Sequence, residues 1–242
     1  MSDAKPLVQV LSDPDVLAQT VADWLLELAL AKEGPFSLCL SGGSTPKVLY
    51  SRLATAPYLE AFPWDRTHLF WGDERFVPHD DDLSNYKMVK EALLDHAPIP
   101  PENIHATPTE SLTPGEAAAE YARTMQAFYG ADMLDPARPL FDVNLLGLGP
   151  DGHTASLFPN TDVLHERKLW VAPVIGAKAE ARITLTYPAL ESCAHGAFLV
   201  AGAGKVEILQ KLLDGDESLP STNLHPTGDL RVYCDAAARK AS

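Results

Sequence analysis

Residues Phe141 to Pro159 constrain the fold of this chain more than any other stretch. Val143, Leu145, Leu146 and Leu148 form a nearly continuous apolar run, the pattern of a parallel strand covered on both faces. Gly147, Gly149, Pro150 and Gly152 then break the strand and free the backbone for a tight turn. That turn carries Asp151 and His153. A carboxylate and an imidazole are thereby expected at the carboxyl end of a strand, where open α/β sheets bind their ligands.

The same glycines spell Gly147-x-Gly149-x-x-Gly152, the letters of a dinucleotide fingerprint, but the context does not support that reading. The fingerprint needs a long following helix and an acidic residue about 20 residues on, at the end of the next strand. Here Pro159 allows at most a short helix after His153, and the following strand, Leu169 to Val174, ends without an acid.

The rest of the chain alternates strand and helix. Leu7 to Leu11 reads as a strand, and Ser12, Asp13 and Pro14 cap a helix that runs to about Lys32, with Val16, Val21, Trp24, Leu25 and Leu28 expected to face the sheet. Phe36 to Ser41 and Thr67 to Gly72 are further strands. Ser84 caps a helix from Asn85 to about His96, residues 98–114 form an irregular connection, and Gly115 to Tyr129 is an amphipathic helix. Arg182 to Thr186, Ala197 to Gly202 and Leu230 to Cys234 are strands, with a short helix at Pro188 to Cys193 and another opened by Gly204 and Lys205. Strand–helix alternation without internal repeats predicts an α/β fold with a mostly parallel sheet and helices on both faces. A length of 242 residues fits one domain, residues 1–242.

Two more segments carry chemistry. The turn Ser41-Gly42-Gly43-Ser44-Thr45-Pro46 sits between a strand and a helix expected at Lys47 to Ala54. Its glycines let backbone N–H groups approach an anion, its hydroxyls add donors, and the helix start adds partial positive charge. An ordinary capped helix start fits these six residues as well. The Gly-Lys-Ser/Thr ending of a nucleotide triphosphate loop is absent. Gly72, Asp73, Glu74 and Arg75 follow a strand and arrive at the same end of the sheet, where a solvated charged loop is the plainer expectation. The formal charge of −14 argues against nucleic acid or an anionic membrane as partner, so an anionic substrate would need local cations. Cys39, Cys193 and Cys234 lie in apolar surroundings, odd in number and widely spaced. They read as buried reduced thiols in a cytoplasmic protein. No apolar run reaches a membrane span.

Four segments together resemble the 6-phosphogluconolactonase family: Ser41 to Pro46, Gly72 to Arg75, Gly147 to Pro159, and Arg182 to Thr186. The third is long and specific, and all four arrive in that family's order. The resemblance implies a Rossmann-like three-layer sandwich and hydrolysis of 6-phospho-D-glucono-1,5-lactone to 6-phosphogluconate in the oxidative pentose phosphate pathway. Glucosamine-6-phosphate deaminases are related. Their turn typically continues toward an asparagine and a glutamate, whereas Thr154 to Pro159 offers no carboxylate. A non-catalytic sugar-phosphate binding protein is the third reading.

Lactone opening needs a base, stabilisation of charge at the carbonyl oxygen, and a grip on the phosphate. His153 is the expected base, because an imidazole titrates near neutral pH; Asp151 or Asp73 would orient it. Gly42, Gly43 and Ser44 are expected to hold the phosphate, with Arg182 and Lys205 supplying positive charge. Arg75 is left between phosphate, carbonyl and Asp73. A serine nucleophile, Ser44 or Ser156, ranks below direct water attack because no Gly-x-Ser-x-Gly elbow exists. The reading calls for no cofactor and no metal, since the eight histidines show no i, i+4 pair. The expected partner is a small phosphorylated sugar lactone, and the oligomeric state is left open.

Overall fold

The expected alternation of strand and helix is the one observed. In the computed structural model, which describes residues 6–239, β1 (Leu7–Leu11) leads into α1 (Pro14–Ala31) and β2 (Phe36–Leu40) into α2 (Ser44–Leu53). A short α3 (Tyr58–Ala61) precedes β3 (Thr67–Trp71) and β4 (Asp73–Arg75). Then come α4 (Asn85–Val89), β5 (Ile104–His105), α5 (Pro114–Tyr129) and β6 (Phe141–Leu146). The last third holds β7 (Val171–Val174), β8 (Arg182–Leu185), α6 (Tyr187–Glu191), β9 (Cys193–Val200), α7 (Val206–Asp214) and β10 (Asp229–Asp235).

Seven strands form one parallel sheet in the order β1-β10-β9-β6-β2-β3-β5. Side chains of the central strands enter two opposite cores. Leu38, Leu40, Leu69, Trp71, Val143 and Leu145 pack with α1, α2 and the segment around α4. Cys39, Phe70, Phe141, Leu146, Phe198 and Val200 pack with α5, α6 and α7 on the other face. Helices therefore cover both faces, as expected of a buried parallel sheet.

Helix ends follow the local chemistry. Asp13 accepts the Val16 N–H at 2.9 Å, and Thr113 with Glu116 forms a reciprocal capping box ahead of α5. The apolar stripe of α1 is shifted from the expected one: Leu17, Ala18, Val21, Ala22, Trp24, Leu25 and Ala29 are buried, Leu28 is half-buried and Val16 is exposed. Val16 lies in the first turn, one position off a stripe that the small Ala18, Ala22 and Ala29 help to fill. After Val89 the α4 helix widens into a π-helical turn, Lys90–Leu94. The connection at 98–114 is not wholly irregular, for Ile104 and His105 add β5 at the sheet edge beside β3.

The larger departure is a second sheet. Segment Asp73–Arg75 is no solvated loop: it pairs antiparallel with β8, which pairs antiparallel with β7, giving the order β4-β8-β7. Glu74 at its centre is buried and accepts hydrogen bonds from the N–H groups of Arg75, Asn85 and Tyr86, each at 2.7 Å. A carboxylate placed on the amino end of α4 satisfies donors that a helix leaves open.

His68 on β3 and His105 on β5 approach to 3.0 Å between Nδ1 and Nε2, and the His105 ring stacks on Phe70 at 4.3 Å. Burial, and then the His68 imidazole beside it, pushes His105 down to about 4. The unfolded chain thus takes up this proton first. The associated stability is present above about pH 6.5 and is lost as pH falls toward 4. Replacing His105 with Gln is expected to flatten the decline of the melting midpoint between pH 7 and 4.5. An identical decline in both proteins would assign the acid sensitivity to other groups.

Candidate active site

From β2 the chain steps outward through β3 to β5, whereas from β6 it steps the other way through β9 and β10. Strands β2 and β6 are neighbours, with Leu38 opposite Val143 and Cys39 opposite Asn144. The winding reverses between them, so the loops that leave their carboxyl ends diverge and open a crevice. Those loops are the Ser41–Gly43 turn and the Gly147–His153 turn. The cleft between them, about 250 Å³, is lined by Gly42, Gly43, Asp73, Arg75, His153 and Lys205 among others.

The first turn is fixed by a buried phenol. Tyr50 accepts the Ser41 N–H at 2.9 Å and donates to the Ser41 carbonyl at 2.8 Å. Gly43 adopts φ +109°, open only to glycine, and α2 begins at Ser44, three residues earlier than expected. Pro46 is consequently the third helical residue, and the exposed Ser44 stands at the rim instead of lining the cleft. Gly42 is required by proximity: a Cβ there would lie 2.1 Å from Asn85 Oδ1. Asn85 in turn donates to the Asp73 carbonyl at 2.9 Å, tying turn, helix and small sheet together.

The second turn positions the imidazole. Gly149 donates its N–H to the His153 carbonyl at 2.8 Å, Gly152 donates to Gly149 at 3.1 Å, and Gly152 takes φ +81°. The ring lies against Gly149, where a Cβ would come within 2.1 Å of Nδ1 and Cε1, and against Phe158, centroid to centroid 4.6 Å. His153 Nδ1 is hydrogen bonded to Asp151 Oδ1. Burial acts to raise the Asp151 carboxyl, but the hydrogen bond and charge of His153 outweigh it and hold the group below the ordinary carboxylate value. With Nδ1 engaged, Nε2 is the nitrogen left to exchange a proton.

Asp151 is therefore the carboxylate that touches His153, the choice that sequence left open. Asp73 is held elsewhere: its Oδ2 accepts from Ser156 Oγ at 2.6 Å. Ser156 is fully buried, and its N–H donates to Thr184 Oγ1 at 3.1 Å. Its hydroxyl is occupied in orienting Asp73.

The cations gather at one end. Arg75 stands directly opposite Arg182 across the β4–β8 ladder, an arrangement that like charges oppose. Arg75 donates to the Leu83 carbonyl, and Arg182 faces Glu180 at 3.5 Å. Burial, followed by the charge of Arg75, lowers the Arg182 guanidinium from its usual value. Arg182 backs Arg75 and does not line the cleft. Lys205 does line it, donating to the Leu148 carbonyl at 2.6 Å, and burial lowers its ammonium.

The sequence places Ser84-Asn85 at this face of the sheet and Glu74 in the charged segment without a role for either, and does not mark Lys178. Lys178, in the loop between β7 and β8, lies 3.9 Å from Asp151 Oδ2 and 4.8 Å from the Phe158 ring centroid. No local pattern marks it. A Ser84-Asn85 helix start was visible, but the closeness of Asn85 to Gly42 was not. Among the described residues no group of three metal-ligating side chains is assembled, and no helix is long and apolar enough to cross a membrane.

Residues 12–232 match the family model described as glucosamine-6-phosphate isomerases/6-phosphogluconolactonase. A 6-phosphogluconolactonase of Nostoc sp. is 41% identical, covering 97% of each chain. The chloroplastic 6-phosphogluconolactonase 3 of Arabidopsis thaliana is 38% identical over 84% of this chain, which spans 64% of that longer relative. The crystal structure of a 6-phosphogluconolactonase from Thermotoga maritima superposes with a TM-score of 0.81 at 30% identity, over 96% of this chain and all of the other.

The contact of Gly149 with the imidazole yields a direct test. Gly149→Ala is expected to displace the His153 ring, changing its NMR signals and loosening the Asp151 bond. Overpacking of this kind costs about 1–3 kcal/mol of stability. Unchanged ring signals would show that the turn yields around the added methyl.

Proposed function

This chain belongs to the glucosamine-6-phosphate isomerase/6-phosphogluconolactonase family, and from that membership we propose that it hydrolyses 6-phospho-D-glucono-1,5-lactone to 6-phosphogluconate in the oxidative pentose phosphate pathway. The observation that carries the reading is the Asp151–His153 pair, facing the Gly42–Gly43 turn across a cleft that also holds Arg75 and Lys205. The family description spans two chemistries. The relatives at 41% and 38% identity are both named as lactonases, which favours ester hydrolysis over deamination.

In the proposed reaction His153 Nε2 accepts a proton from water as the water oxygen attacks the lactone carbonyl carbon. Asp151, ionised at neutral pH, stabilises the resulting imidazolium through Nδ1. Charge on the carbonyl oxygen is met by N–H groups of the Gly42–Gly43 turn. The carbon–ring oxygen bond then breaks, the imidazolium returns its proton to the departing ring oxygen, and the new carboxylic acid ionises. Lys205 and the Arg75–Arg182 pair attract the phosphate, with Ser44 and the start of α2 as further donors. Asp73, fixed by Ser156, accepts from a substrate hydroxyl in this reading. No metal or cofactor enters these steps. A cytoplasmic location belongs to the same proposal; it rests on three buried free thiols.

His153→Gln keeps size and polarity but not proton acceptance near neutral pH, so turnover of fresh lactone is expected to fall by about 10²–10⁴-fold with binding largely retained. Nearly full turnover in the folded variant would remove His153 from the role of base. The parent protein should release no ammonia from glucosamine 6-phosphate; release at a comparable rate would place the chain among the deaminases.

Phosphate recognition has its own signature. Lys205→Ala should weaken the phosphorylated lactone by about 1.5–3 kcal/mol, the worth of a charge-assisted bond, and leave unphosphorylated gluconolactone nearly unaffected. Equal losses for both substrates would assign Lys205 to the carbonyl or the fold.

A further inference from the structure

Asp151 is exposed on its turn, and an exposed carboxylate with one partner keeps considerable rotamer freedom. Its two oxygens are nevertheless engaged on opposite sides: Oδ1 with His153 Nδ1, and Oδ2 facing Lys178 Nζ at 3.9 Å. The ammonium also sits 4.8 Å from the centroid of Phe158, whose ring packs on His153 at 4.6 Å. Lys178, Phe158, His153 and Asp151 thus close a ring of contacts drawn from two loops. Lys178 does not line the cleft between the two glycine turns. It lines an adjoining cleft of about 600 Å³, on the far side of Asp151.

We infer that Lys178 is a positioning residue for this site: its ammonium, set against the outer oxygen of Asp151, holds that carboxylate with its inner oxygen on His153. The inference rests on the reading of His153 as base, and it assigns Lys178 no contact with substrate. An ion pair at this distance between half-exposed side chains contributes little to folding. Its consequence lies in protonation. A cation on the far side of Asp151 offsets part of the carboxylate's pull on an imidazolium, and removing that cation strengthens the pull. The other charges around the pair are Lys205 before α7, Arg75 and Asp73 on β4, and Asp162 in the adjoining cleft. Each comes from a different segment from Lys178 and is left in place when Lys178 is changed.

The test is an NMR titration of the His153 ring in the whole chain, with Lys178→Gln and Lys178→Arg compared with the parent. The titration midpoint is expected to rise by about 0.2–0.7 pH unit in Lys178→Gln and to return in Lys178→Arg. The acid limb of the rate profile should move with it, with kcat reduced several-fold and KM for the lactone unchanged. An unmoved His153 midpoint, or one that moves equally in the arginine variant, overturns the inference. So does a raised KM with an unmoved midpoint, which would make Lys178 a substrate contact. The titration uses no substrate, so failure to hydrolyse the lactone would count against the proposed reaction and not against the placement of Lys178.

Discussion

The reversal of winding between β2 and β6 is the constraint on which the site depends. Parallel strands need crossovers on one face or the other, and a sheet that grows outward in both directions from its middle leaves two loops with nothing between them. Here one loop contributes backbone donors and the other an imidazole. Neither could do so alone. The Gly42–Gly43 turn has backbone N–H groups without a titrating side chain, and the Asp151–His153 turn supplies a carboxylate and an imidazole. The fold's topology, more than any single contact, brings the two within reach of one small molecule.

A second layer of constraint comes from the three-stranded sheet. Strand β4 is short, yet it fixes three side chains with separate duties. Glu74 points inward and anchors the start of α4, Asp73 is turned toward Ser156, and Arg75 meets Arg182. Because Asn85 at the start of α4 also touches Gly42, the amino end of that helix couples the small sheet to the Gly42–Gly43 turn. The buried Glu74 carboxylate is costly to desolvate and is compensated by the N–H groups it accepts.

Much of this was legible in the sequence because it is local. Apolar runs ended by glycine mark β2 and β6, Asp13 and Ser84 mark helix starts, and the Asp-Gly-His turn marks where a carboxylate and an imidazole meet. What escaped depends on distant pairing. Residues 73–75 read as a solvated loop because their partners, 182–184, lie more than a hundred positions away. Comparable distance along the chain hid the opposed arginines and the Ser156–Asp73 bond, whose partners are 83 positions apart. Ser44 was misplaced relative to the helix because Gly43, with its unusual φ, starts α2 before Pro46 does. Val16 is apolar and near the stripe, but it lies in the first turn of α1 and stays exposed. Lys178 carries no local signal at all, since only the third dimension sets it beside Asp151.

One edge of the parallel sheet has a consequence for how the protein is made. Among the described residues strand β1 pairs only with β10, residues 7–11 against residues 231–235. During synthesis the first strand therefore leaves the ribosome long before its partner exists, with a wait of roughly ten to forty-five seconds at ordinary elongation rates. Leu7, Val8 and Val10 stay largely exposed even in the finished fold, and during that interval their backbone is unpaired as well. The central strands β2, β3 and β6 can assemble in the order of translation. Until β10 has been made, residues 7–11 have no strand of the parallel sheet to pair with.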